Sequence, residues 1–124
     1  LYRGSTAGTK SVIVPLTIPN QLYGRAVKVE SVTVYYKVYN SSNGYITMVY
    51  LTKSTDADSL VDLVADATDR TSTAATDFTL VPTANNVLGP NEGLILELQL
   101  SFADDAAWVL IGGVRVQLGH HGLY

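Results

Sequence analysis

The sequence contains no cysteine, which excludes disulfide bonds, thiolate metal sites and a cysteine nucleophile. Charged residues make up only 15% of the chain and the net charge is −3, so the basic stripe of a nucleic-acid-binding protein is missing. No apolar run reaches the ~20 residues that a membrane-spanning helix needs. The length of 124 residues suits one domain, because a chain of this size can bury a single sufficient core.

Histidine is also scarce, and His120 and His121 lie together in a GHHG segment near the end of the chain. Adjacent residues on a strand point to opposite faces, so this pair is poorly placed to chelate one metal ion. No serine has a neighbouring base, no glycine-rich phosphate loop is present, and no carboxylate marks a partner for Glu97. We therefore predict no catalytic residue, no metal site and no cofactor.

Aspartates cluster in the middle of the chain, at Asp56, Asp58, Asp62, Asp66 and Asp69. The cluster lacks the glycine and the spacing of an EF-hand loop. A solvated acidic loop is the favoured interpretation, and a surface calcium site of another geometry stays open.

The clearest strand signal is GLILELQLSF, residues 93–102, in which large apolar side chains alternate with others. The alternating positions are Leu94, Leu96, Leu98, Leu100 and Phe102. The segment WVLIGGVRVQL continues the pattern at Trp108, Leu110, Val114, Val116 and Leu118. We predict that the two strands form a hairpin with these side chains inward. Because the alternation keeps its phase through Gly112 and Gly113, we expect no bulge there but a kink or the close approach of another backbone.

A second hairpin is predicted over residues 32–53, VTVYYKVYNSSNGYITMVYLTK, with its turn at NSSNG. The preceding strand changes phase at Glu30-Ser31, which predicts a β-bulge or a bend between sheets. Two registers are possible, and both leave apolar or aromatic residues on each face of the hairpin. The second face holds Tyr35, Tyr39, Tyr45, Val49 and Leu51.

This second face is the best sequence-level indication of function. Monomers rarely leave a large apolar patch uncovered, so these residues are candidates for a subunit interface or a glycan-binding platform. Ordinary strand composition is the alternative, since tyrosine favours half-buried sheets.

Residues 59–67 fit a short strand or a helical face, and the β-rich surroundings favour the strand. In total about seven or eight strands predict an all-β fold, an antiparallel, jelly-roll-like β-sandwich. We predict a linker or N-terminal arm over residues 1–10, the sandwich domain over 11–119 and a tail over 120–124. The chain starts with Leu1 rather than Met and shows no signal peptide, so we expect a fragment or processed product of a longer protein.

The segments DATDRTSTAATDFTL, NEGLILELQLSF and WVLIGGVRVQL together resemble small C-terminal β-sandwich domains of phage tail-fibre-like and phage-derived surface proteins. The similarity runs over residues 32–121 and is best over 68–80 and 111–121. It implies a non-enzymatic structural and attachment domain on a virion surface or in another extracellular setting. The partners it implies are sister chains, in a homotrimer. The tyrosines add a cell-surface glycan as a candidate partner, and the composition predicts neither nucleic-acid binding nor membrane insertion.

A close-packed trimer axis would give Gly112 and Gly113 a role, since chains approach most closely where side chains are absent. Two alternatives remain open at this point. One is a monomeric carbohydrate-binding module. The other is a subunit of an extracellular filament or adhesin whose N-terminal arm adds a strand to a neighbour's sheet.

Overall fold

The computed structural model describes residues 2–3, 8–19, 21–22, 25–40, 43–56, 59–89, 91–103 and 107–120. Within these residues the chain forms ten β-strands and no helix. The strands are β1 (Tyr2–Arg3), β2 (Gly8–Leu16), β3 (Gln21–Leu22), β4 (Arg25–Val38), β5 (Gly44–Ser54), β6 (Leu60–Asp66), β7 (Thr76–Leu80), β8 (Val87–Leu88), β9 (Gly93–Phe102) and β10 (Trp108–His120).

The strands form two antiparallel sheets. The first sheet has the order β1-β10-β4, with β3, β7 and β8 also pairing with β4, and the second has the order β2-β9-β5-β6. The main pairs are nested along the chain: β5 with β6, β4 with β7, β2 with β9 and β1 with β10. Successive pairs alternate between the two sheets, which is the arrangement of a jelly roll. The predicted all-β, jelly-roll-like sandwich is confirmed.

The core lies between the inner faces of the two sheets. The first sheet contributes mainly valines, and the fully buried ones are Val27, Val29, Val32, Val34, Val38 and Val109. The second sheet contributes the predicted alternation of β9, with Leu94, Leu96, Leu98, Leu100 and Phe102 all buried. Each large apolar side chain contributes about 1.5–3 kcal/mol on burial, before chain entropy is subtracted. Neither sheet could stay folded alone with such a face exposed.

The predicted phase change in β4 is a β-bulge. Ser31 lies opposite Gln117 and Val29 lies opposite Leu118, which leaves Glu30 without a partner on β10. Because one residue is inserted, the valines before and after it all point inward. A strand of constant phase would have turned one of the two sets toward solvent.

Both predicted hairpins are wrong. β4 pairs with β10 and not with β5, and β9 pairs with β2 and β5 and not with β10. In each case the connection crosses from one sheet to the other. Alternation shows only that a strand has one apolar face, and two strands facing each other across a core satisfy it as well as two strands in a hairpin.

The phase predicted for β10 is also wrong in its first half. Val109 is fully buried and Leu110 is exposed, so Trp108 and Leu110 belong to the outer face. The register shifts between Ile111 and Gly113, which leaves Gly112 as the extra residue of a bulge. After this bulge the inward positions are those predicted, at Val114, Val116 and Leu118.

Strand β6 confirms the strand interpretation of residues 59–67. The structure places part of the predicted linker or N-terminal arm, residues 1–10, in strands, because β1 pairs with β10 and Gly8, the first residue of β2, lies opposite Phe102 on β9. Similarly, His120 ends β10 and does not begin the tail. Residues 1, 4–7 and 121–124 of the predicted arm and tail lie outside the described residues.

The connection between β6 and β7 ties the two sheets together around Arg70. The backbone of Arg70 exchanges two hydrogen bonds with Ile46 of β5, at 2.8 and 3.2 Å, and the Val38 N–H of β4 donates to the Ser72 carbonyl at 2.9 Å. The Arg70 guanidinium lies 2.9 Å from the Asp66 carboxylate and 4.4 Å from the centre of the Phe78 ring. One connection therefore contacts β4 and β5, which belong to different sheets.

The Asp66 carboxylate has a pKa below its ordinary value. The main cause is the Thr68 backbone N–H, which donates to Asp66 at 2.7 Å, and the Arg70 charge lowers the pKa further, while burial acts in the opposite direction. Since the folded chain binds this proton less readily than the unfolded chain, Asp66 stabilises the fold above the ordinary carboxyl pKa, about 4. That contribution is lost as the pH falls through the lowered, folded-state value.

We expect Asp66→Asn to reduce stability at pH 7, with a difference from the unmodified protein that shrinks below about pH 4. The measurement is the urea midpoint from pH 7 to pH 3, followed by circular dichroism. Asp69→Asn, an exposed change in the same connection, is the matched control. A gap between Asp66→Asn and the unmodified protein that stays constant down to pH 3 would contradict the assignment.

Candidate functional site

Among the residues whose burial is described, the exposed aromatic side chains lie on the outer face of the first sheet. The surface there is formed by two residues of β4 and its connection, Tyr35 and Tyr39, and two of β10, Trp108 and Leu110. We call these four residues the aromatic strip. Tyr39 is 56% exposed, Tyr35 41% and Leu110 38%, which is unusual for large apolar side chains on a sheet.

The positions of these side chains follow from the core. Because Tyr36 and Val38 point inward, their neighbours on β4 must point outward. The Tyr39 N–H donates to the Trp108 carbonyl at 3.1 Å, and the two rings lie 5.5 Å apart between centroids with 34° between their planes. The strip is thus carried on two hydrogen-bonded strands and forms one rigid surface.

A groove of about 250 Å³ opens beside Tyr35. Gly112, the bulge residue, leaves room there because it carries no side chain. The groove combines an aromatic ring and apolar surface with an ammonium, a hydroxyl and a carboxylate. Its lining residues are Tyr35, Tyr36, Lys37, Ala75, Thr76, Asp77, Leu110 and Gly112.

The rest of this outer face has a different character. Toward the other end of β4 and β10 the exposed side chains are charged, at Lys28, Glu30 and Arg115. Large apolar side chains exposed elsewhere are single residues on separate strands or connections, at Ile13, Leu60 and Val81. Within the described chain, the aromatic strip is therefore the one place where such side chains gather.

The structure separates the residues predicted to share the second face. Tyr35 and Tyr39 lie on the aromatic strip, whereas Tyr45 belongs to β5 in the other sheet, is half-buried and packs against the core. Val49 and Leu51 are fully buried, so the prediction that they form a surface site is wrong.

The physical reason is a bulge in β5. The register between β5 and β9 shifts between Ile46 and Met48, which moves Val49 and Leu51 to the same inner face as Ile46. Trp108 and Leu110 were predicted to point inward because no bulge was expected in β10. A glycine inside a strand often marks a bulge. A bulge predicted at Gly112 would have placed Trp108 and Leu110 on the outer face.

The structure describes only part of the residues considered for a metal site, because Asp58 of the aspartate cluster and His121 lie outside the described residues. Among the residues that are described, no three His, Asp or Glu side chains come close enough to hold a metal ion. Asp62 instead accepts a hydrogen bond from the Thr52 hydroxyl at 3.1 Å. The described chain also has no helix long and apolar enough to cross a membrane.

Comparison with known proteins gives no relative: no protein-family model, no curated protein and no solved structure matches the chain. The functional argument therefore depends on the geometry of the aromatic strip and its groove.

Gly112 and Gly113 of β10 are not required by contacts within the described chain. A Cβ added to Gly113 would have no atom of the described chain within 4 Å, and one added to Gly112 would lie 3.8 Å from the Tyr35 carbonyl oxygen, an ordinary contact. The predicted close approach is thus not met inside one chain, and an approach by a second chain remains a prediction.

We expect Gly113→Ala to leave the isolated domain as stable as before or to stabilise it by roughly 0.5–1 kcal/mol, because glycine weakens a strand. Gly44→Ala is the contrasting variant, since its added Cβ would lie 3.2 Å from the Ala107 Cβ. It should cost about 1–3 kcal/mol by overpacking. Urea unfolding of both variants checks the contrast, and a large loss of stability in Gly113→Ala would show that contacts within the chain do require this glycine.

Proposed function

We propose that the chain is a non-enzymatic structural and attachment domain that assembles with copies of itself, as part of a phage fibre, a virion surface or a phage-like filament. The observation that carries the proposal is the aromatic strip. Exposed apolar patches with polar surroundings mark interaction surfaces, and tyrosine and tryptophan are enriched in protein interfaces.

The geometry of the strip supports assembly in particular. Its residues are carried on paired strands, so little backbone entropy is lost when a neighbour covers them. Three copies with their strips turned toward a common axis would bury Tyr35, Tyr39, Trp108 and Leu110 together. The bulge at Gly112 would lie at the same surface, where the lack of a side chain allows a neighbour to come near. Jelly rolls serve as viral capsid and lectin domains, and this association of the fold supports a virion-surface or extracellular setting.

We expect the purified domain to be a trimer by analytical ultracentrifugation and light scattering. Tyr35→Glu and Leu110→Glu should each shift it toward monomer, because each would bury an unpaired charge at the interface. Ile13→Glu is the matched control, since Ile13 is 64% exposed but lies on β2 in the other sheet, and it should leave the mass unchanged. A monodisperse monomer of the unmodified protein would refute the assembly.

A monomeric carbohydrate-binding module is the second candidate, and the groove beside Tyr35 is the observation that favours it. An aromatic ring offers an apolar surface to a sugar, while Lys37, Thr76 and Asp77 can exchange hydrogen bonds with its hydroxyl groups. The groove shares Tyr35 and Leu110 with the aromatic strip, so sister chains and a sugar would compete for this surface.

If a glycan binds here, Tyr35→Ala and Asp77→Asn should each lower its affinity about tenfold, equivalent to 1.4 kcal/mol. A glycan array identifies the ligand and calorimetric titration measures the affinity. Val81→Ala, an exposed change after β7 and outside the groove lining, is the control. An array without hits, or a hit that both variants bind unchanged, would exclude the groove as a sugar site.

The third alternative, strand addition by the N-terminal arm, is withdrawn. The described residues of that arm are already paired within the chain, with β1 on β10 and residues 8–10 on β9. They are therefore not free to complete a neighbour's sheet.

A further inference from the structure

Among the described residues, strand β10 has no strand on one of its sides over most of its length. On one side it pairs with β4 from Val109 to His120. On the other side only β1 pairs with it among the described residues, with Tyr2 opposite Val109 and Arg3 opposite Trp108. From Leu110 onward, the backbone N–H and C=O groups on that side face no strand of the described chain. A bare edge of this length is a template for pairing with another strand.

The core beneath this edge is incompletely covered. Ile111, Val114, Val116 and Leu118 point inward and pack against the core but are only half-buried. The inward valines of the neighbouring strand β4 are, by contrast, fully buried. The inward side chains of this edge strand are therefore less completely covered than those of β4.

The facing edge of the second sheet shows the same deficit. Val14 and Leu16 of β2 point toward the core and are only half-buried. The pairs β1·β10 and β2·β9 are consecutive in the nested order and joined by short connections, so the edges at β10 and β2 border the same side of the sandwich. We call the gap between these two edges the seam.

We propose that the seam binds one added β-strand from another polypeptide, antiparallel to β10 and collinear with β1, whose alternate side chains are apolar. The direction follows from β1, which already pairs antiparallel with the first residues of β10, so the added strand continues an existing pairing. Both requirements of strand addition are present, a free backbone edge for affinity and alternating apolar contacts for specificity. This surface is separate from the aromatic strip, and the inference goes beyond the proposed function.

The side-chain pattern of the partner follows from β10. Residues directly opposite each other on paired strands project to the same face. Positions of the added strand opposite Val114, Val116 and Leu118 would therefore be apolar and complete the core. The position opposite Arg115 would face solvent and favour an acidic residue.

Two synthetic peptides of about ten residues, a usual strand length, test the inference. They have the same composition, valine, threonine and one glutamate, but only one alternates valine with polar residues. We expect the alternating peptide to bind at least about tenfold more tightly by calorimetric titration. In hydrogen-exchange measurements it should slow the exchange of those backbone amides of residues 110–119 that do not donate to β4.

Matched variants place the same charge on opposite faces of β10. Val116→Lys puts an ammonium at the inward side of the seam and should abolish peptide binding, whereas Gln117→Lys puts it on the exposed outer face and should not. Val116→Thr, which keeps the volume, should weaken binding without unfolding and guards against a misfolded Val116→Lys. The fluorescence of Trp108, the only tryptophan, reports on folding in each variant.

Three results would overturn the inference. The first is equal affinity for both peptides. The second is protection, in the free protein at low concentration, of the amides of residues 110–119 that point away from β4, which would mean that the chain covers its own edge. The third is protection that appears only on concentrating the free protein, which would mean that two copies pair edge to edge. None of these results decides whether the chain assembles through the aromatic strip, which is tested separately by its own variants. Val116→Lys and Gln117→Lys change no residue of the strip.

Discussion

The structure depends on the mutual burial of two sheets that each have one apolar face. The valines of β4 and the leucines of β9 are shielded from water only because they face each other across the core. Side chains alternate along a strand, so once this inner set is fixed the outward set is fixed as well. Tyr35, Tyr39 and Leu110 are exposed because the residues next to them in sequence are buried in the core. The candidate site is thus a direct consequence of core formation, with bulges adjusting which residues are displayed.

The fold class could be predicted from sequence because alternation is a local signal. The leucines of residues 93–102 and the phase change at Glu30 were both interpreted correctly. Strand partners could not be predicted, because alternation carries no information on which strand lies alongside and which lies across the core. The strands that pair are mostly distant in sequence. The two predicted hairpins paired strands that are neighbours in sequence, but at both places the chain crosses from one sheet to the other.

The site was predicted only in part, and the errors have two causes. Tyr45 was assigned to the same face as Tyr35 and Tyr39 through a hairpin that does not form. The other misassigned residues lie a few positions from a bulge, Val49 and Leu51 in β5 and Trp108 and Leu110 in β10. A bulge inserts one residue and reverses the facing of every side chain beyond it. Glycines mark the bulge in β10, but the bulge in β5 falls at Thr47, where no residue type signals it. Tyr35 and Tyr39 were placed correctly because the only bulge in β4 had been recognised.

The nested pairing has a consequence for how the chain reaches this structure. Strands β5 and β6 are close in sequence, but each further pair joins segments that are farther apart, up to β1 with β10. Such a topology has a high contact order, and proteins of this kind fold in milliseconds to seconds. An inside-out sequence of closure would lower the entropy lost at each step, since every completed pair brings the next two segments together. In this order the last strands to dock are those at the open seam, after the rest of the sandwich has formed.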